Sequence, residues 1–141
     1  MKTSFPKPPA QSAWYVVDAK DQVLGRLCSR IATVMRGKDK ASFVPHLISG
    51  AHVIVLNADK IKLSGAKMEQ KKYYRHTGYF GGLKETSVER MLDEKPENVV
   101  RLAVKGMLPK NLTREHLLKR LHIYTGTEHK HTAQNPLPLP L

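Results

Sequence analysis

The stretch Val53-Ile54-Val55-Leu56 decides the fold, because it is apolar at four successive positions. A strand with one solvated face alternates apolar and polar side chains, whereas an uninterrupted apolar run indicates a strand that is buried on both faces. Such strands lie in the middle of parallel sheets that helices cover on both sides. The sequence therefore predicts an α/β domain with this run near the centre of its sheet.

Three shorter runs supply the other predicted strands. They span residues 14–17, 61–63 and 122–124, and the second alternates in the manner of an edge strand. The segments between the strands have apolar residues at helical spacing, which predicts helices there. Strands that alternate with helices form βαβ units. We predict a three-layer α/β/α domain around a mostly parallel sheet.

The first predicted helix runs from Val23 to Met35, with apolar residues at helical spacing. Asp21 is placed to cap its N-terminus, and Gly37 is placed to end it in a left-handed conformation. Further along, Thr86 and Glu89 have the spacing of a capping box.

Two more helices follow the capping box. Pro96 suits the first position of a helix that continues to Gly106, and a short helix is expected at residues 113–121.

Prolines are concentrated at both ends of the chain. Six of the nine lie in the terminal segments, where they favour extended chain. We predict an extended N-terminal tail at residues 1–13, one domain at residues 14–131, and a proline-rich C-terminal tail at residues 132–141. At 141 residues, one domain is long enough to bury a core without disulfides.

The charge balance favours a polyanionic partner. The chain has 24 Lys and Arg against 12 Asp and Glu, a net charge of +12, and such an excess is typical of proteins that neutralise phosphates. A generic basic protein and a membrane-surface binder are the alternatives. The chain has no basic helix with a bulky aromatic face and no apolar run of membrane-spanning length, so we expect no membrane partner. Cys28 is the single cysteine and cannot form an internal bridge, which fits either a reducing compartment or an unremarkable thiol.

Motifs of enzymes are missing from the sequence. It contains no dinucleotide fingerprint after the first strand, no phosphate-binding P-loop and no nucleophile elbow. Cys28 stands within the apolar helix and fits a buried structural thiol. We therefore expect no catalytic residues, no cofactor and no small-molecule substrate.

A histidine pair is the closest approach to a metal motif. His129 and His131 form an H-x-H, with His122 nearby, but zinc takes three or four ligands and no fixed motif supplies the rest. We expect no metal, and we assign His129 and His131 to contacts with phosphates or solvent.

The segment 67–84 is the strongest candidate for binding RNA. It combines five cations with one acid, and four aromatic residues fall within eight positions. Cations neutralise phosphates and aromatic faces stack on unpaired bases. The alternative is that Tyr79 and Phe80 pack the loop onto the domain. The candidate RNA-binding residues here are Lys67, Lys71, Lys72, Tyr73, Tyr74, Arg75, His76, Thr77, Gly78, Tyr79, Gly81, Gly82 and Lys84.

Two smaller basic groups are further candidates, with a solvated face as the alternative reading. The second group comprises Lys105, Lys110, Asn111, Arg114, Lys119 and Arg120, and the third comprises Arg36, Lys38 and Lys40.

Residues 14–134 resemble the bacterial large-subunit ribosomal protein thirteen family. The resemblance rests on Trp14-Tyr15-Val16-Val17-Asp18-Ala19, Leu24-Gly25-Arg26-Leu27, Arg36-Gly37-Lys38, Tyr74-Arg75-His76-Thr77-Gly78-Tyr79, Ala103-Val104-Lys105-Gly106-Met107-Leu108-Pro109-Lys110-Asn111 and Tyr124-x-Gly126-x-Glu128-His129-x-His131. The sequence departs from the family at Ala51-His52, where Gly-Asp is common, and at Leu112-Thr113-Arg114, where Leu-Gly-Arg is common.

The resemblance implies a fold and a function. The fold would be a three-layer α/β/α domain around a four-stranded parallel sheet. The protein would act in the cytoplasmic ribosome as a single-copy structural constituent of the large subunit. It would bind ribosomal RNA through loops 67–84 and 105–114, contact neighbouring ribosomal proteins and join assembly early, without enzymatic activity. An RNA-modifying enzyme and a regulator that binds messenger RNA are the other functions considered.

Overall fold

A computed structural model describes residues 12–139, which contain eleven α-helices and strands. In chain order these are β1 (Trp14–Asp18), α1 (Leu24–Arg36), β2 (His52–Leu56), α2 (Lys67–Gln70), β3 (Lys72–His76), β4 (Leu83–Ser87), α3 (Val88–Glu94), α4 (Pro96–Met107), α5 (Thr113–Leu118), β5 (Leu121–Ile123) and β6 (Leu137–Pro138). None of the helices in this part of the chain is long and apolar enough to cross a membrane.

The main sheet has four strands in the order β5-β2-β1-β6, and each neighbouring pair is parallel. β2 is an inner strand, and Val53, Ile54 and Val55 are completely buried. The prediction of a central strand buried on both faces is confirmed.

Helical segments lie on both faces of this sheet, so the predicted three-layer α/β/α architecture is confirmed. On one face, Val53 and Val55 pack with the apolar sides of α1 and α4 in the main core. The other face carries Ile54 and is crossed by the segment between β5 and β6, which contains a 3₁₀ helix at Thr132–Gln134.

The fourth strand is not the one expected from the sequence. Residues 61–63 do not form a strand, and only Lys62 makes a parallel bridge, to Val23. The fourth strand is β6, from the segment that we predicted as a proline-rich tail, and the Leu139 N–H donates to Val16 O at 2.9 Å. Proline is tolerated there because β6 is an edge strand, which needs hydrogen bonds on one side only. Residues 1–11 of the predicted N-terminal tail lie outside the described residues.

The ends of two helices differ in part from the sequence prediction. Gly37 ends α1 in the left-handed conformation as predicted (φ 75°), but Asp21 does not cap its start and instead pairs with Lys62 at 2.8 Å. α3 is capped by Ser87, whose Oγ accepts a hydrogen bond from the Arg90 N–H at 3.4 Å, whereas Thr86 lies in β4.

Gly50 packs against the end of α1, and this contact gives a test of the fold. A Cβ on Gly50 would overlap the backbone carbonyl of Met35, whereas a Cβ on Gly25, within α1, would meet no atom within 4 Å. We expect Gly50→Ala to destabilise the protein by roughly 1–3 kcal/mol, because the backbone must shift. Gly25→Ala is the control and should be neutral or stabilising by up to about 1 kcal/mol. Chemical denaturation measures both, and equal effects would contradict the packing.

Cys28 lies in the core, which predicts an unreactive thiol. The side chain is completely buried, and this burial raises the pKa of the thiol to about 12. Because the thiolate is the reactive form, we expect labelling by a thiol reagent at neutral pH to be far slower in the native protein than in guanidinium. Rapid, complete labelling of the native protein would show that this part of the core is open.

Candidate nucleic-acid interface

The first candidate segment forms a β-hairpin rather than an irregular loop. β3 and β4 pair antiparallel as a two-stranded sheet separate from the main one. Lys67 begins α2, Lys71 connects it to β3, and the turn between the strands spans residues 77–82. The hairpin thus brings together the predicted residues from Lys72 to Lys84, while Lys67 and Lys71 lie at its base.

Glycines shape the turn of the hairpin. Gly78 and Gly81 have positive φ angles of 91° and 67°, which glycine adopts without steric cost. The Gly82 N–H donates to Tyr79 O at 2.9 Å and the Thr77 N–H donates to Gly82 O at 3.0 Å. Gly78, Gly81 and Gly82 therefore build the turn.

The aromatic side chains of the hairpin divide into two kinds. Tyr79 is 81% exposed and Phe80 is fully exposed, so these two side chains do not pack the hairpin onto the domain, which was the alternative reading. Tyr74 is also mostly exposed. Tyr73 is half-buried, its hydroxyl has no hydrogen-bond partner among the described residues, and burial raises its pKa.

The cations of the hairpin are held in an unusual arrangement. Arg75 and Lys84 are directly opposite one another on neighbouring strands, and neither forms an ion pair with any described residue. Like charges in this position destabilise a hairpin. Lys72 is paired with Glu85 at 3.0 Å, and Lys71 lies over the Tyr73 ring at 5.3 Å from its centroid. The hairpin therefore keeps an uncompensated positive pair near its exposed end.

The second candidate group lies around α5. Lys110, Arg114 and Lys119 form no ion pair with the described residues. The Arg114 Nε atom is buried and has no hydrogen-bond partner among the described residues. Lys105 lies 3.8 Å from Glu115. Asn111 stabilises the turn into α5, since its Oδ1 accepts hydrogen bonds from Thr113 Oγ1 at 2.6 Å and from the Arg114 N–H at 3.2 Å.

Arg120 has a structural role that the sequence did not indicate. Its guanidinium is partly buried and donates to Gly50 O at 2.6 Å and to Ser12 Oγ at 3.2 Å. It therefore ties the chain before β1 to the loop before β2.

The third candidate group is also partly engaged within the protein. Arg36 lies over the ring of Phe43, 5.5 Å from its centroid, and Lys40 Nζ donates to Ser49 O at 2.9 Å. Lys38 is exposed. Of this group, Lys38 is the cation placed for an external contact.

The C-terminal histidines belong to an aromatic stack on the second face of the sheet. Trp14 stacks on His52 at 4.2 Å between ring centroids, and His131 lies 5.0 Å from Trp14 and 4.4 Å from His122. Burial lowers the pKa of both His52 and His122. His129 is close by, and its Nδ1 accepts a hydrogen bond from the His131 N–H at 3.2 Å.

Within residues 12–139 no three His, Cys, Asp or Glu side chains are grouped so that they could hold a metal ion. His131 instead fixes the crossing segment to the sheet.

The candidate residues chosen from the sequence did not include Lys95 and Arg101, and they left out Phe80, whose ring is fully exposed. Lys95 and Arg101 face the hairpin across a cleft, together with Lys105. Residues 95, 98, 101, 102 and 105 recur at helical spacing, so the sequence does indicate that they share one face of the helix. The prediction used only the apolar face, with Val99, Val100 and Val104.

Comparison with known proteins gives a consistent assignment. A family model described as Ribosomal protein L13 matches residues 12–130. The large ribosomal subunit protein uL13 of Maridesulfovibrio salexigens is 56% identical over 96% of both chains. The protein of the same name from Nitratidesulfovibrio vulgaris is 51% identical over 100% of this chain and 99% of its own, and that from Clostridioides difficile is 54% identical over 96% of both.

These matches cover the whole domain at high identity. Members of this family are structural components of the ribosome and not enzymes, which agrees with the expectation drawn from the sequence. The chain therefore belongs to the ribosomal protein L13 family, as the resemblance of its motifs predicted.

Proposed function

We propose that this ribosomal protein binds large-subunit ribosomal RNA in the cytoplasmic ribosome, with the β3–β4 hairpin as its principal contact. The names of its relatives, which are large-subunit proteins, support the choice of subunit. Arg75 and Lys84 lie directly opposite each other on an exposed hairpin, and neither forms an ion pair with a described residue. This observation carries the proposal.

The electrostatics of the hairpin support an anionic partner. Two like charges held opposite each other repel, and none of the described residues forms an ion pair with either of them. A phosphate group between Arg75 and Lys84 would accept charge-assisted hydrogen bonds from both and would turn the repulsion into attraction. The phosphate-rich backbone of RNA supplies such groups at regular intervals.

The exposed aromatic rings support RNA over other polyanions. Tyr79 and Phe80 at the tip of the hairpin and Tyr74 on β3 present their rings to solvent. Unpaired bases stack on such rings with a gain of about 1–3 kcal/mol each. Tyr73, Thr77 and His76 then shape and support the contact surface, since Tyr73 is half-buried and His76 Nδ1 accepts a hydrogen bond from the Gly78 N–H at 2.9 Å.

The α5 region and Lys38 extend the proposed interface. Lys110, Arg114 and Lys119 are available to phosphates, and Lys67 and Lys71 continue the basic surface at the base of the hairpin. We assign Arg36, Lys40, Asn111, Arg120, His129 and His131 chiefly to internal contacts that position this surface.

The proposal extends to assembly and partners. A domain with its own core can bind RNA before other proteins do, which favours early incorporation as a single copy beside neighbouring ribosomal proteins. A messenger RNA that folds into the same shape would fit the same surface and would make the protein a regulator. No small-molecule substrate and no membrane enter this proposal.

Replacing hairpin cations tests the RNA contact. We expect the triple variant Lys71→Gln, Lys72→Gln and Arg75→Gln to bind a large-subunit RNA fragment more weakly. The slope of log affinity against log salt should fall by about 2–3, because each lost phosphate contact removes about 0.7–0.9. Filter binding between about 50 and 200 mM salt measures this slope, and the thermal midpoint should barely change.

A second triple variant serves as the control for the loss of three positive charges. Lys20, Lys60 and Lys130 lie outside the proposed interface and are exposed, so their replacement by Gln removes the same charge. The control should retain most of the affinity and the salt slope. Equal losses in the two triple variants would refute a specific role for the hairpin, and collapse of the thermal midpoint would show that the hairpin belongs to the core.

Sedimentation of a cell lysate tests the place of the protein in the ribosome. We expect the protein to migrate with large subunits when EDTA separates the subunits by removing magnesium. Migration with the small subunit, or free at the top of the gradient under both conditions, would contradict the proposed assignment.

A further inference from the structure

A cleft separates the hairpin from the helical side of the domain. Its volume is about 1040 Å³, just above the roughly 300–1,000 Å³ of pockets that enclose drug-sized ligands. One wall is the face of the hairpin that carries Tyr73, Arg75 and Thr86, which share a side of the two strands. The cleft is therefore large enough for a nucleotide and is bounded by elements that are distant in sequence.

The opposite wall is a single face of α4. Lys95, at its N-cap, and Asn98, Arg101, Leu102 and Lys105 recur at helical spacing and line the cleft. The other face of the same helix carries Val99, Val100 and Val104, which are completely buried. Since the core fixes that apolar face, it also fixes the direction in which the basic row points.

The floor of the cleft is apolar. Met91, Leu118 and Leu121 line it between the two walls, and Leu102 remains 42% exposed beside them. Thr86 and Asn98 add polar side chains to the lining. The cleft thus offers apolar surface with a few polar groups, as sites for small planar ligands do.

The rim of the cleft is positively charged. Arg75, Lys95, Arg101 and Lys119 form no ion pair with the described residues. The two carboxylates of the rim are already engaged, Glu94 with Arg90 at 2.6 Å and Glu115 with Lys105 at 3.8 Å. The net field at the opening therefore favours an anion.

We propose that this cleft holds an unpaired segment of RNA, with a base on the apolar floor and its phosphates on the cations of the rim. A duplex presents a convex surface with its bases stacked inside, so a concave cleft with an apolar floor selects a strand whose bases are accessible. The proposal rests on the proposed function, and it deepens that function by naming the class of RNA structure that is recognised.

Paired charge variants test the cleft. We compare Lys95→Gln with Arg101→Gln in one protein against Lys20→Gln with Lys60→Gln in another, so that the net charge is equal. The probes are a short labelled oligouridylate, which is unstructured, and an RNA duplex. We expect the cleft variant to bind the oligouridylate at least about tenfold more weakly than the control variant, with a salt slope lower by about 1.4. Binding of the duplex should differ little between the two.

A second pair of variants tests the apolar lining of the cleft, at Leu102 on its α4 wall. Leu102→Ala should weaken binding of the oligouridylate without changing the salt slope, because it removes apolar contact and no charge. Leu112→Ala is the control, since Leu112 is 89% exposed and does not line the cleft. Thermal midpoints close to that of the wild type show that all four variants are folded.

The outcomes separate this proposal from the proposed function. If the wild type does not bind large-subunit RNA, the proposed function fails. If it binds and the cleft variants match their controls on both probes, only the cleft proposal is overturned. Normal binding of both probes together with poor incorporation into large subunits would assign the cleft to a segment of a neighbouring protein, and this too would overturn the proposal.

Discussion

The burial of β2 on both faces is the constraint on which the rest of the structure depends. Val53 and Val55 are covered by α1 and α4, while Ile54 points to the opposite face and needs separate cover. The segment after β5 crosses that face, and the His131 ring packs there against Trp14 and His122. Because the crossing starts at one edge of the sheet and ends at the other, it brings residues 137–138 beside β1 as the fourth strand.

The elements that the sequence predicted are those whose pattern is set by the main core. β2, α1 and α4 have apolar positions that match their periodicity, because each buries a continuous apolar surface. β6 has no such pattern, since its pairing results from the path of the crossing segment. The strands of the hairpin were also not predicted from the sequence. Both faces of Lys72–His76 are largely exposed, so no alternation of apolar and polar residues marks this strand.

The same distinction applies to the candidate interface. The sequence shows where the cations are along the chain, but it predicted a loop where the structure has a short helix and a hairpin. It does not show which cations are already used within the protein, as Arg120 is by Gly50 and Lys40 is by Ser49. Nor does it show that Lys95 and Arg101 face Arg75, because that arrangement depends on how the core orients α4 against a hairpin from another part of the chain.

The stability of the hairpin is linked to the binding of its partner, whereas the body of the domain is stabilised by its own core. A two-stranded hairpin is marginally stable by itself, and the Arg75–Lys84 pair weakens it further. The glycine turn holds it in shape, and the exposed Lys72–Glu85 ion pair adds little. An anionic partner that neutralises Arg75 and Lys84 removes the repulsion only when the hairpin is formed. Binding and formation of the hairpin therefore reinforce one another, and the charge arrangement that destabilises the free hairpin contributes to the affinity for its partner.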